Sequence, residues 1–417
     1  MTAPTAPIKQ REDVRSSPWA ERLRHVGRAL ALPAGSVVLA FLIGTVLIAA
    51  SGGDPLMSYE AMACGGFGLF CFGGETSALQ ISNTIEFVTP LLLAGLAVAV
   101  AFRAGLFNIG VQGQLILGAI FATVVGMRLA SLPAIVLIPL VLLAGMLGGA
   151  LWAGIAGTLK ALTGAHEVVT TIMLNYIAYN LLSFLLIHGP LQAPNNTEIS
   201  LPVGQNAQLP TLVPQEATFF DQPGGAYHAS IGIFIALIAA GVYAFLMRRS
   251  ALGYEIRTVG QSQRAAKYAG ISVKRTLIVT MLISGAFAGL TGALLISGGT
   301  LHYLYTDLQY DTTGFDGIAV ALLGQTIALG VVLSAILFGA LHAGGLVMQS
   351  DVQVSSHIIE ILQAIILFSL AANFLRTLKI RIPSPGRPLA KSESMEPAEA
   401  AIQAEVSAAG SDVEGTA

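Results

Sequence analysis

Apolar runs of about twenty residues, the length an α-helix needs to cross a bilayer, follow one another along most of this chain. They lie at 33–51, 86–102, 107–127, 133–158, 168–188, 230–247, 276–298, 316–328, 329–349 and 356–375. The run at 316–328 is short and suits a half-helix or re-entrant segment. Hydrocarbon offers backbone groups no partners, so spanning segments must be helices or closed barrels, and runs this long select helices. Only 11% of the residues are charged, against about 25% in soluble domains, which leaves little for a water-exposed globular domain. The expected fold is an all-α integral membrane protein with about ten transmembrane helices.

The cations set the orientation. Of the 21 Lys and Arg residues, six fall in 1–28, seven in 248–275 and five after Leu375. Arg103 and Lys160 lie in short turns on the same side. The opposite loops, 52–84, 189–229, 299–315 and 350–355, hold acids such as Asp54, Glu60, Asp307 and Asp351 but no Lys or Arg. Arg128 alone breaks the pattern, from a helix end where it can snorkel. Cytoplasmic loops collect Lys and Arg, so both termini are expected in the cytoplasm. Residues 1–32 read as a cytoplasmic arm with a surface helix, in which Ser17 caps, Pro18 starts, and Trp19, Leu23 and Val26 share a face. Residues 33–380 form the transmembrane domain. The tail at 381–417, rich in Pro, Ala, Ser and Glu, is expected to be disordered. The glycines at 145, 148, 149, 154 and 157 would let helices approach closely. A net charge of −2 gives no field that would draw nucleic acid. Cys64 and Cys71 fall in an outer, glycine-rich loop; they read as a disulfide or as two unpaired small apolar residues. The triplet Asn195-Asn196-Thr197 matches a glycosylation acceptor by pattern alone.

Four segments carry polarity that lipid does not explain. Residues 248–275 form the basic loop, with one acid, Glu255. Ser262 suits a helix N-cap and Gly270 a stop, with Arg264 and Lys267 sharing a face between them. The segment is either a docking lever for a cytoplasmic partner or an ordinary positive-inside loop. Residues 101–118 bring Asn108, Gln112 and Gln114 into the membrane, as pathway lining or as glue between helices. Residues 164–180 add Thr171 and Asn175 on one face, with the same two readings. Their His166-Glu167 pair is not HExxH, because position 170 is Thr, which removes a zinc-protease reading. Asp316 enters the apolar run at 313–324, and Glu360 stands one turn into the last span. The remaining histidines make no metal-ligand spacing. No phosphate loop, Rossmann fingerprint or nucleophile elbow is present, so no cofactor is expected in this chain. Any ATP-driven step belongs to another polypeptide.

Together FRAGLFNIGVQGQ, HEVVTTIMLNYIAYN, GYEIRTVGQSQRAAKYAGISVKR and GFDGIAVALLG resemble the permease subunits of bacterial ABC importers of the branched-chain amino acid and ribose group, in the simple sugar or nucleoside branch. The likeness covers roughly 52–375 in order. It implies a bacterial plasma-membrane protein that imports solute by alternating access and has three kinds of protein partner. These are a sugar-type ABC ATPase carrying ATP and Mg, a homologous second permease in a heterodimer, and an extracytoplasmic solute-binding lipoprotein; lipid is the remaining contact. It places ATPase coupling at 260–270, with Arg264, Ala266, Lys267 and Gly270 at motif positions. It puts Asn108, Gln112, Gln114, Asn175 and Asp316 in polar membrane motifs. Two places depart from the family pattern: the turn Gln325-Thr326-Ile327-Ala328 lacks the usual basic, proline-containing character, and the Cys71 stretch alters the outer loop. A stand-alone ion-coupled transporter with Glu167, Asp316 and Glu360 as ion sites is the alternative reading. An intramembrane enzyme would need paired catalytic groups at one depth, and no spacing supplies them.

Overall fold

The computed structural model describes residues 18–377 except 72–76, 195–197, 215–217, 220–221, 310 and 356. The start of the N-terminal arm, the tail at 381–417 and the Asn195-Asn196-Thr197 triplet all lie outside the described residues. The chain divides into two units, Met1–Asn373 and Phe374–Ala417; the fold below is that of the first.

Its helices are α1 Pro18–Ala50, α2 Pro55–Phe67, α3 Ser77–Arg103, α4 Val111–Arg128, α5 Ala134–Thr163, α6 Glu167–Ile187, α7 Gly232–Arg249, α8 Ala251–Gln261, α9 Gln263–Tyr268, α10 Val273–Gly298, α11 Thr313–Leu323, α12 Ala328–Val352 and α13 His357–Thr377. Strand content among the described residues is one two-residue antiparallel pair, Thr218–Phe219 with Gln222–Pro223, and a few isolated bridges. Seven helices, α3 to α7, α10 and α12, are long and apolar enough to cross a membrane. The apolar parts of α1 and α13, Ala34–Ala50 and His357–Ser369, are shorter, and α11 is a short helix, as its apolar run suggested. Residues 18–28, expected to form a separate surface helix, are continuous with the first apolar helix.

α3, α4 and α10 lie inside, buried along most of their length, while α5, α6 and α7 keep one apolar face exposed. Ile135, Leu143, Leu147 and Leu151 of α5 point outward from the protein, which suits a hydrocarbon solvent. What draws α4, α5 and α10 together is the absence of side chains. A methyl group on Gly149 would overlap the Gly285 carbonyl, and one on Gly289 would overlap that of Gly145. Backbones this close gain dispersion contacts, the main attraction left between helices in lipid.

α2 was expected to be loop and is a helix. Asp54 caps it, its carboxylate accepting from Leu56 N at 2.8 Å and Met57 N at 3.4 Å. Pro55 occupies the first turn, where its missing N–H costs nothing. Gly68 ends the helix at φ 66°, a left-handed turn favourable to glycine. Gly65 and Gly66 let α2 lie against Gly344 and Ala340 of α12. Cys64, near its end, is bonded to Cys71, with Cα atoms 4.8 Å apart.

The described residues between α6 and α7 cover one end of the helices. Its backbone pairs onto the α10–α11 connection through Ser200 N to Leu304 O at 2.9 Å and Val203 N to His302 O at 2.8 Å. The cations of 248–275 gather at the other end, where Gly260 of α8 abuts the end of α3 at Arg103 and Ala104.

Candidate functional site

At the basic end, α8 and α9 form an angled pair. Ser250 caps α8 by accepting from Gly253 N at 2.9 Å, and Ser262 caps α9 by accepting from Ala265 N at 3.3 Å. Gly270, at φ 80°, turns the chain out of α9. Of the expected motif positions, Ala266 is fully buried, whereas Arg264, Lys267 and Gly270 are exposed. Ala266 seats the helix and the rest of it faces outward. Tyr268 is 94% exposed; sequence reasoning passed over it, although an aromatic ring in a short alanine-containing surface helix is the available signal. Gly260 of α8 has no side chain to hold it off the α3 backbone. The end of α8 next to α9 thus lies in backbone contact with the end of α3.

The polar residues of the membrane interior fall into two groups. In the first, Asn108 Nδ2 donates to Gln114 Oε1 at 3.0 Å and to Ser284 Oγ at 2.9 Å, and Gln114 Nε2 donates back to Asn108 Oδ1 at 3.0 Å. Ser284 Oγ donates to Ala97 O at 2.7 Å. Asn175 accepts from Gly113 N at 2.8 Å and donates to Ile109 O at 3.0 Å. Thr171 donates to Glu167 O of its own helix at 2.8 Å. Gln112 accepts from Gly314 N at 2.8 Å and donates to Leu308 O at 3.3 Å. All five sequence-selected residues of this group are buried and hydrogen-bonded; Asn108, Gln112, Gln114 and Asn175 tie the start of α4 to α6, α10 and α11, Ser284 carries the network on to α3, and Thr171 bonds within its own helix.

The second group surrounds a cavity of about 550 Å³ at the end of α3 away from Arg103, within the roughly 300–1,000 Å³ range of small-molecule sites. Glu86, Phe87 and Pro90 of α3, Tyr305, His342 of α12 and Glu360 of α13 line it. The Phe87 and His342 rings stack with centroids 5.8 Å apart and planes 19° apart. His342 Nε2 lies 3.4 Å from Asp316 Oδ2, close enough for ion pairing, though not aligned as a hydrogen bond. That same carboxylate accepts from Thr312 Oγ1 at 2.8 Å. Pro90 has no N–H, so the Glu86 carbonyl loses its helical donor beside the cavity. Burial, then the nearby Asp311 and Asp307 charges, push the Tyr305 phenol up to about 12, so it remains a neutral donor. Of the residues singled out from sequence, Asp316 stands beside this cavity, Glu360 lines it, and Gln112 braces Leu308 in its wall. Glu86, Phe87, Tyr305 and His342 were missed as a cluster because they come from three distant segments.

Of the three carboxylates of the ion-coupled alternative, Asp316 and Glu360 border the same cavity, whereas Glu167 is not in its lining. Glu167 pairs with Lys160 at 2.7 Å, Asp316 with His342 at 3.4 Å, and Glu360 with His357 at 3.2 Å. No group of three or more His, Cys, Asp or Glu among the described residues could hold a metal ion.

Residues 80–370 match the family of branched-chain amino acid transport system permease components. The chain is 39% identical over 355 residues to the guanosine ABC transporter permease protein NupP of Bacillus subtilis, covering 85% of this chain and 95% of that one. It is 35% identical to the nucleoside ABC transporter permease protein NupB of Lactococcus lactis, covering 84% and 92%. It is 34% identical to the glucose ABC transporter permease protein TsgB13 of Haloferax volcanii, covering 85% and 90%. A second guanosine permease of Bacillus subtilis, NupQ, is 27% identical over 63% of this chain and 80% of its own length. No solved structure matches. The apolar helices, the capped basic pair α8–α9 and these relatives agree: this chain is a multi-pass ABC importer permease of the branched-chain amino acid transport system permease family.

Proposed function

We propose that this permease is one of two homologous subunits of an ATP-driven nucleoside importer. It sits in a bacterial plasma membrane with about ten crossings and both termini cytoplasmic. A separate sugar-type ATPase carries ATP and Mg and grips α9 through Arg264, Lys267 and Tyr268. An extracytoplasmic binding lipoprotein delivers solute to the acidic end. That Bacillus subtilis has two similar guanosine permease proteins, NupP and NupQ, supports a heterodimer.

The single observation that carries this reading is the course of α3. Its 27 residues span about 40 Å at 1.5 Å per residue. One end touches α8 through Gly260, and the other carries Glu86, Phe87 and Pro90 into the cavity. Closure of the ATPase would move α9 and α8 as a capped unit and displace α3. The loosened helix at Pro90 would let the cavity change shape while the Arg103 end moves. The cavity chemistry favours a nucleoside: a stacked aromatic pair presents a face for a base, and carboxylates accept from ribose hydroxyls.

Reconstitution tests the reading. Uptake should require the ATPase and be insensitive to an ion gradient; uptake driven by a proton or sodium gradient without ATPase would return the protein to the ion-coupled class. Arg264→Glu with Lys267→Glu should leave insertion intact and cut ATP-driven uptake at least about tenfold, since charge reversal at a desolvated contact costs several kcal/mol. Unchanged solute-stimulated hydrolysis in that variant would remove α9 as the lever.

A further inference from the structure

A second cavity, of about 250 Å³, opens at the basic end, away from the solute cavity. Three arginines line it: Arg103 from the end of α3, Arg248 from the end of α7 and Arg257 from α8. The fourth side is the α11–α12 turn at Thr326 and Ile327. That turn holds two successive non-glycine residues in left-handed backbone, Gln325 at φ 51° and Thr326 at φ 54°, a conformation that costs side-chain-bearing residues energy. It is held by its carbonyl: Thr326 O accepts from Arg103 Nη2 at 2.9 Å, Arg103 Nε at 3.3 Å and Tyr243 Oη at 2.6 Å.

Charge is the anomaly. The cation–carboxylate and His–carboxylate contacts among the described residues are Lys160–Glu167, His342–Asp316 and His357–Glu360, so none of these three guanidinium groups has a carboxylate partner there. Arg257 Nη1 is buried and has no hydrogen-bond partner at all. A buried donor without an acceptor is costly, and it belongs to a half-buried Arg257 that stands with half-buried Arg103 and exposed Arg248 around one space. An oxygen anion between them would satisfy that donor, and planar N–H forks match phosphate oxygens. Basic pockets between helices at the cytoplasmic membrane surface are suited to anionic headgroups.

We propose that this cavity is an oxyanion site that takes a phosphate group, from an anionic lipid headgroup or from free phosphate. Its occupant bridges α3, α7, α8 and the α11–α12 turn, and so ties together the elements that receive the push from α9. The cavity lies at the basic end of the molecule; that this end is cytoplasmic rests on the sidedness proposed above.

The test uses purified full-length chain in a neutral detergent, with thermal unfolding as the readout. It is titrated separately with short-chain phosphatidylglycerol, short-chain phosphatidylcholine and inorganic phosphate. Phosphatidylglycerol should raise the unfolding temperature at a concentration about tenfold below that needed for phosphatidylcholine. In Arg257→Gln the effect should weaken at least about tenfold, the size of one or two lost charge-assisted hydrogen bonds. The ligand-free unfolding temperature of Arg257→Gln should not fall, because the substitution removes the buried Nη1 donor that has no acceptor; a purely structural arginine would lower it. Stabilisation by inorganic phosphate at equal or lower concentration supports the site and assigns it to the free ion. No response to any phosphate, or an equal response in Arg257→Gln, overturns it. Detergent has no sidedness, so this outcome is independent of whether the transport reading stands.

Discussion

Two polar regions inside the same membrane body obey different rules. Around Asn108, Gln114, Ser284 and Asn175, the side-chain donors and acceptors meet partners from neighbouring helices. Around Glu86, Phe87, His342 and Glu360, polar groups face open space. We propose that the first arrangement holds helices in register and that the second receives the solute. Polarity in a membrane span does not by itself mark a route for solute. What separates glue from pathway is whether hydrogen-bonding capacity has been used up inside the protein.

Substitutions in the two regions should therefore fail differently. The largest effect belongs to the packing that the network reinforces. Gly289→Leu would drive a side chain into the α5 backbone at Gly145, and folded, monodisperse protein should fall below detection in size-exclusion chromatography. Next comes the network itself. Asn108→Ala leaves Gln114 and Ser284 short of partners, at about 1–3 kcal/mol for each stranded group; unfolding should occur at a clearly lower temperature, with uptake per folded molecule retained. If uptake fails while stability holds, Asn108 belongs to the pathway and the contrast collapses. Phe87→Ala should show the reverse: stability close to wild type and a roughly tenfold rise in KM, as one base–aromatic stack is worth about 1–3 kcal/mol. An equal rise for a hexose substrate would remove the case for a base.

The smallest effect is at Tyr305. Its raised pKa means the folded state holds the proton more tightly than the unfolded state. The associated stability is fully present below the ordinary value of 10.0 and is lost as pH rises through about 12. In the physiological range its charge state should not change. The difference absorbance between wild type and Tyr305→Phe should show no phenolate until well above pH 10.

The long helices were readable because lipid enforces both their length and their apolarity, and α9 was readable because Ser262 and Gly270 bracket it. α2 was not: thirteen residues containing Gly65 and Gly66 look like loop until α12 is known to lie against those glycines. The disulfide was left open for the same reason, since the helical turn that brings Cys64 near Cys71 had not been recognised. Asn108, Gln112, Gln114 and Asn175 announced themselves by being polar in an apolar setting, but apart from the local Asn108–Gln114 pair their partners come from distant segments, and no local spacing reveals those. The cavity was least legible. Phe87 reads as an ordinary apolar residue and His342 as an isolated one until α3 and α12 are laid side by side.

In the proposed transporter α3 joins the face offered to the motor to the chamber offered to the solute, and reciprocity would follow. Free-energy coupling between two binding events is symmetric. If engagement at α9 alters the hold on a guest beside Phe87, then the guest alters the motor's affinity for α9 by the same factor. A loaded chamber would thus announce itself across the bilayer before any nucleotide is spent, through the displacement of a single rod.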